Sequence, residues 1–198
     1  MATEPATAGE VEGAAGGATA GATGGVAGTP IVGEAGDLDG GAGPNGAVRR
    51  FRIATFNLHH GRVGRHWPCL PWRLRQGLGM LDAEVAGLQE VDRRVFRSWF
   101  GDQVAVARRA LGADAGVFGH ARWFVGGRYG NGLVVRGNID RHRTVPLPIK
   151  PRTERRSAIV ADVDVAGIGL TVAVTHLQTE PGQAVRQLQF LTDLLAAV

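Results

Sequence analysis

The sequence predicts a mixed α/β fold. Three short hydrophobic stretches, at 51–57, 82–92 and 170–177, have the length and the β-branched or alternating residues that favour strands. Leucines at helical spacing across 73–81 predict a short helix between the first two stretches. A strand, a helix and a second strand in close succession are typical of α/β proteins.

Each of these stretches ends on a polar side chain. Asn57 ends the first stretch, just before Gly61 permits a turn, and Glu90 and His176 end the second and the third. Ligands of α/β proteins usually bind beyond the ends of the strands. The sequence therefore predicts a single site that contains Asn57, Glu90 and His176.

Residues 1–48 differ in composition from the rest of the chain, because Gly and Ala make up over half of them. With almost no large side chains, this segment cannot bury enough apolar surface to offset ~1–2 kcal/mol of backbone entropy per residue. We expect a disordered tail at 1–48 and one domain at 49–198. No Gly-Lys-Ser/Thr follows the paired glycines of the tail, so the sequence predicts no phosphate-binding loop there.

The domain is predicted to begin with a strand at 51–57, a loop at 58–72 closed by two prolines, and the helix at 73–81. The later strands are short and bounded by glycine or proline, and we predict them at 84–89, 115–120, 122–125, 132–136, 141–147, 158–165 and 169–175. The last two of these form a hairpin that turns at Ala166 and Gly167.

Two further helices are predicted. Ser98 is a candidate N-cap for a helix at 99–111, which ends near Gly112. The last helix has Pro181 in its first turn, and its apolar stripe contains the leucines at 188, 191, 194 and 195. We expect the aromatic residues Phe96, Trp99 and Phe100 to lie in the core rather than to anchor the protein to a membrane.

The charge of the chain is unevenly distributed. Residues 51–198 hold twenty basic and twelve acidic residues, a net charge of +8, which favours anionic partners such as nucleic acid, phospholipid or phosphorylated metabolites. The alternative is the composition of a GC-rich genome, since 21 of the 22 basic residues are arginine. With Cys69 as the only cysteine, no secretory signal at the amino terminus and no apolar run near ~18 residues, we expect a cytoplasmic protein without a membrane span.

His59 and His60 are adjacent in the first loop. On an extended chain, neighbouring side chains point to opposite faces, and no cysteine or acid lies nearby at the spacing of a zinc site. We therefore expect no structural zinc. His60 is expected to face the substrate, while His59 packs or is solvated.

Four sequence blocks in order resemble the endonuclease/exonuclease/phosphatase superfamily. They are T-F-N-x-H-H-G at 55–61, D-x5-L-Q-E-V-D at 82–92, Y-G-N-G-L-V-V-R at 129–136, and R-x-A-I-V at 156–160 followed by T-H-L at 175–177. The resemblance covers 51–198. It implies the first part of a four-layer α-β-β-α sandwich like that of deoxyribonuclease I, without its C-terminal strands.

The resemblance also implies a metal-dependent phosphoesterase that uses Mg²⁺ or Mn²⁺ and metal-activated water. Glu90 matches the metal-binding glutamate, and Asn57 matches the asparagine beside the metal and the phosphate. His176 matches the histidine that contacts the phosphate or assists proton transfer. The substrate implied is a phosphoester in nucleic acid, a phospholipid or a phosphorylated small molecule.

Four further residues are candidates for binding the substrate. Relatives carry a phosphate-contacting arginine where this chain has Arg155 and Arg156, and the latter is the preferred match. Tyr129 and Asn131 lie in a segment predicted as a turn before a strand, and Asn131 is a candidate substrate contact beside Gly130. The alternative for this segment is an ordinary hairpin turn. His60 completes the set.

Two motifs of the family do not occur in the sequence. They are Gly-Asp-x-Asn, which activates the water, and a later Ser-Asp-His, which contacts the phosphate. Loss of an acid–base group typically costs ~10²–10⁴-fold in rate. We therefore expect a truncated chain that is weakly active or inactive and that associates through unpaired sheet edges. The alternatives are a non-catalytic module that binds phosphate or nucleic acid, and a non-functional fragment.

Overall fold

A computed structural model describes residues 31–34, 51–62 and 70–197 of the 198-residue chain. Within these residues, eight strands lie in two sheets: β1 (Ile31–Glu34), β2 (Arg52–Asn57), β3 (Val85–Arg93), β4 (Ala115–Phe124), β5 (Gly127–Val135), β6 (Asn138–Pro146), β7 (Ser157–Val165) and β8 (Ile168–Thr175). The same described part of the chain contains three α-helices, α1 (Pro71–Gly79), α2 (Gln103–Ala110) and α3 (Pro181–Ala196). The predicted mixed α/β fold is confirmed.

The first sheet has the strand order β1-β2-β3-β5-β4, and the second has the order β6-β7-β8. Strands β2 and β3 are parallel, with α1 in the connection between them, whereas the other described pairs are antiparallel. The parallel pair carries two predicted site residues to the same sheet edge.

Three hydrophobic clusters separate the layers. The first lies between the outer face of the first sheet and helices α1 and α2, and its members include Ala54, Phe56, Leu74, Leu78, Leu88, Val91 and Val104. The second lies between the two sheets and includes Val85, Leu133, Ile159 and Val174. The third packs α3 on the second sheet through Leu147, Ala158 and Leu191. The order of layers is therefore helices, sheet, sheet, helix, as in a partial four-layer sandwich.

Four residues of the segment expected to be a disordered tail form a strand. Ile31–Glu34 forms β1, which pairs antiparallel with β2 through the register Ile31 to Thr55. The short apolar pair Ile31-Val32 supplies strand propensity within the Gly/Ala-rich segment. The rest of that segment, and Cys69, lie outside the described residues.

The segment between β3 and β5 differs most from the sequence prediction. Ser98 caps no α-helix, because it lies in a 3-10 turn (Phe96–Ser98) and its hydroxyl donates to the carbonyl of Val95. Helix α2 instead begins after Asp102, whose side chain accepts a hydrogen bond from the amide of Ala105. The two strands predicted at 115–120 and 122–125 are one strand, β4, with an irregularity between His120 and Arg122.

The predicted hairpin that turns at Ala166 and Gly167 is confirmed, and it joins β7 to β8. Ala166 and Gly167 both have positive φ, of 53° and 83°, which is the backbone of a two-residue hairpin turn. Helix α3 begins at Pro181 as predicted, but Leu188 is 56% exposed. The face of α3 that contacts the protein instead carries Leu191 and two buried glutamines, Gln183 and Gln187.

Candidate metal and phosphate site

Asn57 and Glu90 reach one edge of the first sheet because β2 and β3 run parallel. Asn57 is opposite Gln89 in the register of these strands. The Nδ2 atom of Asn57 donates to Oε1 of Glu90 at 2.9 Å, and its Oδ1 accepts from the amide of His59 at 2.8 Å. The carboxamide of Asn57 therefore holds the Glu90 carboxylate and the start of the next loop together.

The prediction that Glu90 ends its strand is wrong, because β3 continues to Arg93 and a β-bulge within it directs Glu90 into the site. Between Leu88 and Val91 the register of β3 on β5 gains one residue, so that Gln89 and Glu90 together face Asn131. Glu90 has a φ of +53°. Leu88 and Val91, on either side of the bulge, both lie in the first hydrophobic cluster, between the first sheet and helices α1 and α2. Strict alternation would place Glu90 on the same apolar face as Leu88. The extra residue moves Glu90 to the face that Asn57 shares.

His59 and His60 both turn towards Glu90, which the expectation of opposite faces did not foresee. The chain is not extended there: His59, His60 and Gly61 have φ values of 45°, 49° and 79°. The two rings lie 4.7 Å apart, and Nδ1 of His60 is 3.4 Å from Oε2 of Glu90. Ligand atoms of the two histidines and Glu90 all lie within 4.8 Å of one another. A local left-handed turn thus groups residues that an extended chain would separate.

Gln103 holds this turn in place, and sequence reasoning did not identify it. Its side chain is buried, its Nε2 donates to the carbonyl of His60 at 2.7 Å, and its Oε1 accepts from the amide of Asp92 at 2.8 Å. Gln103 is the first residue of α2, 43 positions away from His60 along the chain. No local pattern marks such a contact, because it depends on where α2 packs.

His176 enters the site from the second sheet. Val174 of β8 packs directly over Gly87 of β3, where a side chain would meet Val174 at 3.1 Å. The absence of a side chain at Gly87 lets the sheets approach closely. His176 follows two residues later, near enough to Glu90 for the charge of each to shift the pKa of the other.

Arg156 rather than Arg155 lies in the site. Arg156 is buried, its Nη1 lies 3.3 Å from Nδ1 of His176, and its Nη2 lies 3.4 Å from Oε2 of Glu154. The neighbouring Arg155 is exposed. The Nε atom of Arg156 is buried and has no hydrogen-bond partner among the described residues. The Nε–H group of Arg156 is therefore available to donate a hydrogen bond within the site.

Tyr129 and Asn131 do not lie in a turn. Both are within β5, because β4 and β5 meet at a turn around Gly126 instead. Asn131 is 2% exposed, and its Nδ2 donates to the carbonyl of Ser157 at 2.7 Å, which joins the two sheets. Tyr129 is also buried, and its ring lies under the guanidinium groups of Arg97 and Arg122.

Three pKa shifts define the electrostatics of the site. The close contact with the His60 imidazole, 3.4 Å from Oε2, with a further contribution from Asn57, lowers the pKa of Glu90 to about 2 despite partial burial. Burial, reinforced by the charge of Arg156, lowers the pKa of His176 below its usual value of 6.5. Burial, together with the nearby carboxylates of Glu90 and Glu154, raises the pKa of Tyr129 to about 12. At neutral pH the site therefore holds an ionised carboxylate, a neutral imidazole and a neutral phenol.

The expectation that Phe96, Trp99 and Phe100 belong to the core is wrong. Their side chains are 58–62% exposed, on the turn that follows β3. Two of these residues, Trp99 and Phe100, have positive φ, so the chain makes a left-handed turn there and not a helix. Among the described residues, no helix combines the length and the apolar character needed to cross a bilayer.

Comparisons with known proteins gave structural matches only: no family model and no curated protein matches the sequence. An endonuclease/exonuclease/phosphatase family protein from Leptotrichia buccalis C-1013-b aligns with a TM-score of 0.54 at 12% identity, over 71% of this chain and 61% of that chain. Truncated Caenorhabditis elegans TDP2 aligns with a TM-score of 0.48 at 15% identity, over 65% and 49%. The human Nocturnin catalytic domain with bound sulfate aligns with a TM-score of 0.44 at 22% identity, over 62% and 52%.

The alignment with the Leptotrichia buccalis protein concerns the fold. This chain spans about three fifths of the length of that protein, since the alignment covers 61% of it. The motif resemblance, the layer order and this alignment lead to the same architecture. The protein therefore has the α/β sandwich fold of the endonuclease/exonuclease/phosphatase family.

Proposed function

We propose that this chain contains the cation- and phosphate-binding part of a metal-dependent phosphoesterase. The observation that carries the proposal is the convergence of Asn57, Glu90, His176 and Arg156, from four separate segments, on one edge of the two sheets. An ionised carboxylate is suited to a divalent cation, and an unshared guanidinium donor is suited to a phosphoryl group. Substrates and partners of the whole protein are part of this proposal.

The residues present fit a divalent cation. Glu90 remains ionised at neutral pH because its pKa is lowered to about 2, so no proton has to leave before a cation binds. The Nδ1 atom of His60 is buried, and it makes no hydrogen bond within the described part of the chain. A bound Mg²⁺ or Mn²⁺ would compensate charge on the phosphoryl oxygens and lower the pKa of a bound water.

The chain's own residues position and bind the phosphoryl group. Asn57 orients the Glu90 carboxylate through its Nδ2. Arg156 can only donate hydrogen bonds, so its contact with His176 requires Nδ1 to be the acceptor and places the ring proton on Nε2. We therefore assign His176 the role of a neutral donor to a phosphoryl oxygen, and Arg156 the role of a charged donor through its unpartnered Nε.

A non-catalytic phosphate-binding module is the second candidate. The sequence contains no Gly-Asp-x-Asn motif to activate water, and Glu154, a further acid beside Arg156, is ion-paired with Arg122 and Arg156. In that case the same residues would hold a phosphoryl group without hydrolysing it. The two candidates share a binding site and differ only in turnover.

One experiment separates these candidates. The purified chain is assayed for hydrolysis of bis-p-nitrophenyl phosphate with Mg²⁺ and with Mn²⁺, and calorimetry measures metal-dependent binding of inorganic phosphate. The phosphoesterase predicts slow metal-dependent hydrolysis that Glu90→Gln and Arg156→Gln reduce and the exposed control Val185→Ala leaves unchanged. Phosphate binding without hydrolysis would identify the module. Neither turnover nor metal-dependent binding would contradict both.

A further inference from the structure

His59, His60 and Glu90 present the donor atoms of a mixed nitrogen and oxygen metal site. One ligand atom from each of the three lies within 4.8 Å of the others, and the three residues are partly buried. Two ligands that each lie about 2.1 Å from one tetrahedral ion are about 3.4 Å apart. Side-chain shifts of about 1 Å would therefore bring all three around one ion.

The Nδ1 atom of His60 is available as a metal ligand. It is buried, and although it lies 3.4 Å from Oε2 of Glu90, it makes no hydrogen bond among the described residues. Buried polar atoms in native proteins nearly always have a partner, so an orphan needs an explanation such as an ion. A cation between His60 and Glu90 would satisfy both groups.

The backbone of the turn is strained in a way that serves this arrangement. His59 and His60 have consecutive left-handed φ values of 45° and 49°, although neither is glycine. Such conformations are strained and persist where surrounding contacts impose them. Asn57 holds the amide of His59, and Gln103 holds the carbonyl of His60. These contacts place both rings on the side of Glu90.

The donor set favours a particular class of ion. Mg²⁺ prefers oxygen ligands and retains several waters, whereas imidazole is a ligand for first-row transition ions. We propose that His59, His60 and Glu90 form a site that selects a first-row transition-metal ion, such as Mn²⁺, Co²⁺ or Zn²⁺, over Mg²⁺. The inference rests on the proposed function only in that both use Glu90, and it adds two nitrogen ligands that the family resemblance does not assign.

The test is a titration of the full-length chain with Co²⁺, which reports ligation through its visible absorption without any need for activity. Wild type is expected to develop a bound-Co²⁺ spectrum. His59→Asn and His60→Asn should weaken Co²⁺ binding by about tenfold or more, while changing Mg²⁺ affinity, measured by calorimetry, less than about twofold. Asparagine tolerates positive φ, so these variants remove the imidazole without adding backbone strain.

His142→Asn is the matched control, because His142 is exposed on β6, away from the cluster. It should bind Co²⁺ as wild type does. A second measurement needs no variant: bound Co²⁺ should shift and broaden the proton resonances of the imidazoles of His59 and His60 and leave those of His142 unchanged.

The outcomes distinguish this inference from the proposed function. Equal Co²⁺ affinity in wild type and in both histidine variants, or unshifted His59 and His60 resonances, would overturn the inference, even if Mg²⁺ supports hydrolysis that requires Glu90. Histidine-dependent Co²⁺ binding without turnover or phosphate binding would support the inference while contradicting the proposed function.

Discussion

At the scale of single residues, the site depends on side chains held by specific partners rather than on unusual residue types. Glu90 is an ordinary carboxylate whose pKa falls to about 2 because His60 and Asn57 both contact it. Its contribution to stability is therefore linked to pH. His176 has a lowered pKa because it is buried beside Arg156.

The first prediction concerns Glu90. Because its folded pKa of about 2 lies below the ordinary value of 4.5, its ionisation stabilises the native state fully above about pH 4.5, and this stabilisation is lost as the pH falls through about 2. We expect the difference in unfolding free energy between wild type and Glu90→Gln to shrink by on the order of 2 kcal/mol across that window, after allowance for solvent screening. Urea unfolding at a series of pH values measures it, and a pH-independent difference would contradict the prediction.

The second prediction concerns His176. Replacing Arg156 by glutamine removes a positive charge that lowers the pKa of His176, so we expect its titration midpoint to rise. If the neutral imidazole is required for activity, the acidic limb of the pH–rate profile should also move to higher pH. Proton resonance titration measures the midpoint directly. Arg155→Gln is the control, since Arg155 is exposed, and an unchanged midpoint in Arg156→Gln would show that the two groups are not in contact.

At the scale of elements, the bulge in β3 decides the geometry of the site. The extra residue between Leu88 and Val91 allows both to pack under the helices while Glu90 turns to the opposite face. On the partner strands, Gly130 of β5 lies so close to β4 that an added Cβ would overlap the carbonyl oxygen of Gly119. The bulge therefore forms beside a close backbone approach that glycine alone permits.

The third prediction tests that approach. Gly130→Ala should separate β5 from β4, because its Cβ would meet backbone atoms that cannot move independently, and we expect a loss of several kcal/mol in unfolding free energy or no folded protein. Gly169→Ala, on β8, is the matched substitution, since its Cβ would meet no atom within 4 Å. It should change stability by less than about 1 kcal/mol. Equal thermal denaturation midpoints of the two variants would be incompatible with the strand packing.

At the scale of the whole molecule, the site exists because two sheets pack face to face. Asn57 and Glu90 belong to the first sheet, whereas Arg156 and His176 flank strands of the second. The inter-sheet cluster that joins them includes Ile159, which is fully buried and lies over Gly119 of β4. The distance between the two halves of the site therefore depends on that cluster.

The fourth prediction follows from this packing. Ile159→Ala should cost about 2–5 kcal/mol of unfolding free energy, because it leaves a cavity between the sheets. Val185→Ala, which removes an apolar side chain 66% exposed on α3, should change stability by less than about 0.5 kcal/mol. Denaturant unfolding compares the two variants. A loss below about 1 kcal/mol in Ile159→Ala would mean that the sheets do not share a core.

The sequence alone determined the mixed α/β class, the hairpin at Ala166 and Gly167, and the strand ends at Asn57 and beside His176, whereas Glu90 lies within β3 and not at its end. Each follows from local chemistry: hydrophobic periodicity, turn residues and the position at which a strand stops. The same local reasoning failed for Ser98, because an N-cap pattern does not reveal that the chain first makes a left-handed turn at Trp99 and Phe100.

Only the tertiary structure decided which side chains share the site. Alternation along an extended chain separates His59 from His60, whereas two contacts from distant residues, Asn57 and Gln103, impose the turn that brings both towards Glu90. Likewise the choice of Arg156 over Arg155 depends on the face of the second sheet that meets the first. Strand and turn propensities act over a few neighbouring residues, but the placement of these groups depends on packing between segments tens of residues apart.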